Sequence, residues 1–300
     1  MSAGPLRNGI LYGLLAAAIW GGMYVVSKWV LAYVPPFTLL AMRLLLGTGS
    51  LVLWLCWRGA WPRLAPRQWL QLLALGVLGY GISLGFQFSG TQLSTAANGA
   101  VITAATPALV FLFARGLLGE AIQPRQWAAL VLSTLGVLLI INPWQAGLEA
   151  QLWRGNLLLV GAALTWALYS VLVRWLSAHS PQPLDPLVLT LVAFIGGLLV
   201  VLPAASLELQ RQPMAAMNAG LLAGILYLGV VSTALAAYLW NRAFAMLPAG
   251  IAGLTFFAQP LVGAGLGIGL LGEPFSLHFA AGAALILACL WLAAQGDRIA

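Results

Sequence analysis

The chain has 300 residues, 62% of them hydrophobic and only 6% charged, with a mean hydropathy of +0.98. A soluble domain of this size needs a charged shell that these residues cannot supply, so the composition excludes a water-soluble enzyme or binding domain and places the chain in a membrane. The net charge of +7 does not mark a nucleic-acid binder, because the basic residues stand singly and form no run or patch.

A spanning helix needs about 20 mostly apolar residues. Residues 8–27 carry no charge and predict helix 1, which reaches Lys28-Trp29. No cleavable signal is expected, since this segment is long enough to span and lacks a small-residue cleavage site. Pro35-Pro36 breaks the chain, and helix 2 runs to Arg58 with one embedded charge, Arg43. From Gln68 to Ala114 there is no charge, which predicts helices 3 and 4 with a tight turn near Leu93-Ser94. Helix 5 ends at Asn142-Pro143, and helix 6 begins after Arg154 and ends at Arg174-Trp175. After the polar linker 177–186, helix 7 is expected to about Pro203 and helix 8 over about 216–240. Helix 9 follows over about 248–271 and helix 10 over about 275–294. Cys56 and Cys289 both lie in apolar segments and offer no disulfide framework.

The basic residues orient these spans. With a cytoplasmic N-terminus the inner ends hold Arg7, Arg58, Arg63, Arg67, Arg115, Arg125, Arg174, Arg242 and Arg298, against Lys28, Arg154 and Arg211 outside. Nine against three predicts that both termini are cytoplasmic.

Two stretches match. Thr106-Pro107 precedes Gly119-Glu120, and Gln259-Pro260 precedes Gly272-Glu273, at a constant offset of 153 that also carries Leu75-Gly76-Val77 onto Leu228-Gly229-Val230. An offset of 146 carries Trp20, Lys28 and Trp29 onto Trp166, Arg174 and Trp175. Helices 1–5 (8–142) are therefore expected to repeat as helices 6–10 (154–295), and five being odd, the second copy is inverted. Such a repeat lets one pattern build an inner and an outer gate around a midplane site. A proline inside a helix frees the carbonyl four residues back, that of Thr103 in one copy and Phe256 in the other. In a bilayer that carbonyl needs protein, water or ligand. Pro107 and Pro260 are thus predicted as hinges beside a central cavity.

Several faces are polar enough to line that cavity. Helix 3 places Gly76, Tyr80, Ser83, Gln87 and Gly90 on one face, and helix 9 does so with Ala252, Thr255, Gln259 and Gly263. Helix 1 offers Trp20 and Tyr24; helix 4 offers Thr95, Gly99, Thr103 and Thr106, with Asn98 alongside. The glycines read as helix packing. Tyr80, Gln87, Asn98 and Gln259 read equally as interhelical bonds or cavity lining. Trp20 and Trp166 fall in mid-helix at equivalent positions, which separates them from the interface belts where Trp usually sits. The full candidate substrate-binding set is Trp20, Tyr24, Tyr80, Ser83, Gln87, Asn98, Thr103, Trp166, Tyr169, Phe256 and Gln259.

The charges inform by their positions. No acidic residue lies in the middle of a predicted helix, and His278 is too shallow for a proton relay. Arg43 reads as structural, snorkelling outward or capping a carbonyl. The expected cavity is then neutral, polar and aromatic. Gly81-Ile82-Ser83-Leu84-Gly85 matches the serine-hydrolase elbow, but that motif needs a strand–turn–helix setting with His and acid partners. No phosphate loop, metal cluster or paired carboxylates appear, so neither an enzyme nor a metal or cofactor is expected.

The mid-helix Trp20, the stretch Pro36-Phe37-Thr38-Leu39-Leu40-Ala41-Met42-Arg43 and the doubled Leu118-Gly119-Glu120 and Leu271-Gly272-Glu273 resemble the drug/metabolite transporter superfamily, in its ten-helix branch of two EamA units. The resemblance covers about residues 8–295, and it departs at helix 7, where no Arg matches Arg43. It implies a cavity among helices 1, 3, 4, 6, 8 and 9, with 5 and 10 peripheral. Among its members the chain most resembles bacterial inner-membrane exporters of amino acids, aromatic ones included, of the YddG type. The expected protein is an all-α, multi-pass alternating-access exporter of amino acids and similar small metabolites. It needs the lipid bilayer and a small-molecule substrate, with no nucleic acid and no obligatory protein partner. Lacking an embedded titratable group, it suits a facilitator without proton coupling. The rival readings are efflux of cationic drugs and a membrane-embedded enzyme or scaffold.

Overall fold

The computed structural model describes residues 3–59, 64–93, 102–103, 106–121, 124–141, 150–180, 183–214 and 216–259, with short pieces beyond Gln259, 261–263 among them. Through these residues the chain forms nine helical segments and no strand. They are α1 (Ala3–Val30), α2 (Pro36–Arg58), α3 (Pro66–Leu93), α4 (Thr106–Leu118), α5 (Pro124–Ile141), α6 (Ala150–His179), α7 (Pro186–Arg211), α8 (Ala219–Met246) and α9 (Ala249–Leu254). A single 3₁₀ turn, Thr255–Phe257, follows α9. Among the described residues, α1, α2, α3, α6, α7 and α8 are long and apolar enough to cross a membrane. The predicted tenth helix falls largely outside the described residues, as do Asn98 and Pro260.

Proline sets where these helices start. It occupies the first helical position of α2, α3 and α7, where its missing N–H would have had no partner inside the helix. The N–H groups left over find carboxylates and amides. Asp185 Oδ1 accepts from Leu187 N at 2.9 Å to open α7, and Asn218 Oδ1 accepts from Leu221 N at 2.8 Å to open α8. The start of α2 has no cap of its own. Glu208, near the far end of α7, accepts from Phe37 N at 3.2 Å and from Thr38 N at 2.8 Å. That contact corrects the expected end of helix 7: α7 continues through Pro203 to Arg211, and the extra turns carry Glu208 to its partner. Glu120 does the same for α9, accepting from Ala249 N at 3.1 Å and Gly250 N at 3.4 Å. Gly119, with φ 66°, makes the left-handed turn that brings Glu120 there.

The interior helices pack in pairs that keep their pattern when the two halves are exchanged. α1 packs on α8 as α6 packs on α3, and α2 packs on α8 as α7 packs on α3. α4 lies against α6 as α9 lies against α1, while α2–α7 and α4–α9 pair across the centre. Small residues permit the closest crossing. A Cβ on Gly76 would stand 1.9 Å from the carbonyl oxygen of Ala193, and one on Gly196 would stand 2.2 Å from that of Leu73. No side chain larger than hydrogen fits either side of that α3–α7 contact.

Both α3 and α8 widen into a π-helix partway along, over Val77–Ser83 and Tyr227–Leu235. Such widened turns are rare inside α-helices and concentrate at functional sites. In α8 the Thr233 hydroxyl donates to the Leu228 carbonyl five residues back, at 2.6 Å. The backbone oxygen of Ser232 turns outward to accept from Trp20 Nε1 at 2.9 Å. Both segments line one cavity, with Tyr80 and Ser83 from α3 and Ser232 and Thr233 from α8.

Candidate functional site

The cavity holds about 550 Å³ of empty space, its mouth included. Its aromatic wall is Trp20, Tyr80, Trp166 and Phe256; its polar groups are Ser83, Gln87, Thr103, Thr106, Ser232, Thr233, Gln259 and Arg43. Met23, Leu84, Ala162, Ala163 and Ala237 complete the lining. Six elements therefore contribute, α1, α2, α3, α4, α6 and α8, together with the 3₁₀ turn and Gln259 after α9.

Trp20 and Trp166 sit at its centre with their rings edge to face, centroids 5.6 Å apart and planes at 81°. Tyr80 meets Trp166 at 5.8 Å, also edge to face. Phe256 packs 6.0 Å from Trp20 on the other side. Behind this ring lies a second tier. Trp240 supports Trp20 and Phe256 at 5.3 and 5.4 Å, and its Nε1 donates to Ser170 Oγ at 3.1 Å. Each aromatic is thus held by another aromatic and, where its polar atom is bonded, by a neighbouring helix.

Of the predicted binding residues, the structure brings Trp20, Tyr80, Ser83, Gln87, Thr103, Trp166, Phe256 and Gln259 to the cavity wall. Tyr24 and Tyr169 stand behind it. The Tyr24 hydroxyl accepts from Gln87 Nε2 at 3.0 Å and lies 3.3 Å from Thr103 Oγ1, so it fixes two lining side chains from the rear. Tyr169 is fully buried under Trp166 and Tyr80. Its hydroxyl donates to Asn241 Oδ1 at 2.7 Å and lies 3.1 Å from the Tyr80 hydroxyl. Asn241 in turn donates to Thr190 Oγ1 at 2.9 Å. Pro107 is buried within α4. Ser83 donates to the Ala162 carbonyl at 2.9 Å, and no histidine or carboxylate approaches it among the described residues, which leaves its elbow-like sequence without a nucleophile's partners.

The expectation of a neutral cavity is corrected. Arg43 is 2% exposed and lines the cavity from α2. Its guanidinium neither snorkels nor caps a carbonyl. Nε donates to Thr233 Oγ1 at 3.0 Å, Nη2 reaches Ser232 Oγ at 3.3 Å and Met23 Sδ at 3.2 Å, and the Phe88 ring lies 4.8 Å from Cζ. The π-helix of α8 turns both hydroxyls toward the arginine, and that is why the side chain stays inside.

Sequence reasoning missed Ser232, Thr233, Trp240 and Asn241. One signal pointed to two of them: the offset of 153 carries Tyr80 onto Thr233 and Gln87 onto Trp240.

With this geometry in place, comparison with known proteins settles the family. The sequence model of the EamA-like transporter family matches residues 7–142 and again 153–295. The chain belongs to the EamA-like transporter family. As an EamA-like protein of the drug/metabolite superfamily it is a multi-pass membrane transporter. It is 28% identical over 98% of its length, and 96% of the relative's, to a Salmonella typhimurium protein named "Probable amino-acid metabolite efflux pump". A Pseudomonas aeruginosa "Probable biotin transporter" is 27% identical, covering 96% of this chain and 98% of the relative. An uncharacterized transporter of Archaeoglobus fulgidus is 26% identical over 93% of this chain and 94% of its own. A solved crystal structure shares the fold of this EamA-like chain, with a TM-score of 0.80 at 21% identity over 97% of this chain and 98% of that one.

Proposed function

We propose that this protein is an inner-membrane exporter of amino acids and similar small metabolites, neutral and aromatic ones included, working by alternating access. The observation that carries the reading is the cavity itself. It lies where α1, α3 and α4 meet their counterparts α6, α8 and the α9 segment, and its wall combines aromatic rings with hydroxyls and amides. An amphipathic solute of amino-acid size suits such a wall: rings take the apolar part, hydroxyls and amides the polar part. The relatives named for amino-acid metabolites and for biotin are consistent with that size and chemistry, since both solutes join a carboxylate to a less polar body.

In this account the halves 8–142 and 154–295 form an inverted ten-helix repeat with both termini cytoplasmic, and the halves rock about the axis between Trp20 and Trp166. Pro107 and Pro260 mark the flexible points, aided by the 3₁₀ turn at Thr255–Phe257. Among the described cavity residues none is a carboxylate or histidine, which favours a facilitator over a proton-driven pump. Efflux of cationic drugs is disfavoured by Arg43, because a buried positive charge repels a cation in a low-dielectric site. The substrate class and the coupling are tested together in proteoliposomes. Labelled phenylalanine, methionine, threonine, a cationic dye and a nucleotide-sugar are offered with and without a pH gradient. Amino-acid flux indifferent to the gradient is the expected result; flux of the dye alone, driven by protons, contradicts the proposal.

A further inference from the structure

Arg43 carries a charge that the described protein does not balance. Its guanidinium is permanently protonated, and an unpaired charge taken from water into a membrane protein is costly unless something compensates it. The described acidic side chains are all committed elsewhere. Glu120 and Glu208 hold the starts of α9 and α2, and Asp185 opens α7 and pairs with Arg58 at 3.0 Å. The neighbours that Arg43 does have are two hydroxyls, a thioether and an aromatic face, all of them neutral. One nitrogen, Nη1, is buried and has no hydrogen-bond partner among the described residues. The indole Nε1 of Trp166 shares that condition, and both residues line the same cavity. Every other buried side-chain atom left unpartnered among the described residues is a hydroxyl oxygen, on Ser27, Thr48 or Ser177. The two unsatisfied N–H donors therefore both belong to residues that line the cavity.

We propose that Arg43 is an anion subsite that takes the carboxylate of the transported solute, with Trp166 Nε1 offered to a further acceptor on the same molecule. This deepens the amino-acid reading and rests on it, but it also extends it. An α-ammonium would meet only neutral hydroxyl and amide oxygens in this wall, whereas a carboxylate meets a full opposite charge inside a low-dielectric cavity. The carboxylate is thus the group required for binding, and the amino group is dispensable. The substrate class becomes small carboxylates with an apolar or aromatic body, with or without an α-amino group. Thr233 and Ser232 act as positioning residues, holding Nε and Nη2 so that Nη1 is left for the ligand.

The test is equilibrium binding by calorimetry to the full chain in lipid nanodiscs, with two probes that split phenylalanine in half. 3-Phenylpropionate keeps the carboxylate and lacks the amine; phenethylamine keeps the amine and lacks the carboxylate. The wild type is expected to bind 3-phenylpropionate at least tenfold more tightly than phenethylamine. Arg43→Gln should remove that preference, and Arg43→Lys should recover part of it. Equal binding of the two probes, binding of neither, or an Arg43→Gln protein that keeps the preference would each overturn the subsite. The wild-type ratio decides even if the Gln variant fails to fold. Flux of labelled phenylalanine, measured alongside, separates the two levels. Carboxylate-selective binding without amino-acid flux leaves the subsite standing and overturns the export reading.

Discussion

Trp20 on α1 and Trp166 on α6 meet edge to face at 5.6 Å, although 146 residues separate them in sequence. They differ in one respect. Trp20 Nε1 donates to the Ser232 carbonyl, while Trp166 Nε1 has no partner among the described residues. Phenylalanine at each position keeps a ring and removes the N–H. Trp20→Phe deletes the bond to the Ser232 carbonyl and should cost about 1 kcal/mol more than Trp166→Phe, the scale of one net hydrogen bond. Denaturation in detergent measures the difference. Equal stabilities would mean that the indole-to-carbonyl bond contributes nothing.

Asn241 joins Tyr169 to Thr190 beneath the cavity floor. Asn241→Leu deletes two buried hydrogen bonds, while the Tyr169 hydroxyl keeps Tyr80 and the Thr190 hydroxyl keeps the Pro186 carbonyl, so it should destabilise the protein by about 1–3 kcal/mol. Because Tyr169 braces Tyr80 and Trp166, the surviving protein should also show a raised KM for its solute. A variant that keeps wild-type stability and KM would remove this network from the account.

Much of this was legible in the sequence, and the limits are instructive. Charge-free runs placed α1 and α3, the Pro35-Pro36 break placed α2, and helical spacing put Tyr80, Ser83 and Gln87 on one face, which the cavity uses. The paired tryptophans stood out because mid-membrane Trp is unusual. Arg43 was misread since its fate depends on the π-turn of α8, which presents Ser232 and Thr233; a change of helical pitch leaves no mark in hydrophobic periodicity. Tyr169 looked like Tyr80 in sequence. Only the depth of packing, set by Asn241 and Thr190 on two other helices, puts one at the wall and the other behind it. Helix 7 was cut short at Pro203 because proline usually ends a helix, yet α7 runs on, since capping α2 through Glu208 rewards the extra turns.

The α3–α7 crossing gives a steric prediction. Gly76→Ala places a methyl 1.9 Å from the Ala193 carbonyl and should destabilise by about 1–3 kcal/mol or prevent folding through overpacking. A Cβ on Gly49 of α2 would meet nothing within 4 Å among the described residues, so Gly49→Ala should be neutral, or stabilising by up to about 1 kcal/mol through helix propensity. Expression level and melting temperature rank the two; the reverse order would refute the crossing.

Two glutamates tie helix starts to distant helix ends, and their bonds rank them. Glu208 accepts from Phe37 N, Thr38 N and Thr38 Oγ1, the last two at 2.8 and 3.0 Å; Glu120 accepts from two N–H groups at 3.1 and 3.4 Å. Glu208→Ala should therefore cost more than Glu120→Ala, each on the order of the 1 kcal/mol typical of a lost cap. Thermal unfolding of the two single variants checks the order.

The central claim is that solute passes through the cavity that the two π-helical segments line. Ala163 lines that cavity and is 2% exposed, so a cysteine there, in a background with Cys56 and Cys289 changed to serine, reports on the path. Proteoliposomes carrying Ala163→Cys are treated with a membrane-permeant maleimide, and phenylalanine flux is followed. The account predicts that alkylation stops flux and that added phenylalanine slows the alkylation. Fully alkylated protein that still transports phenylalanine at the untreated rate would contradict it.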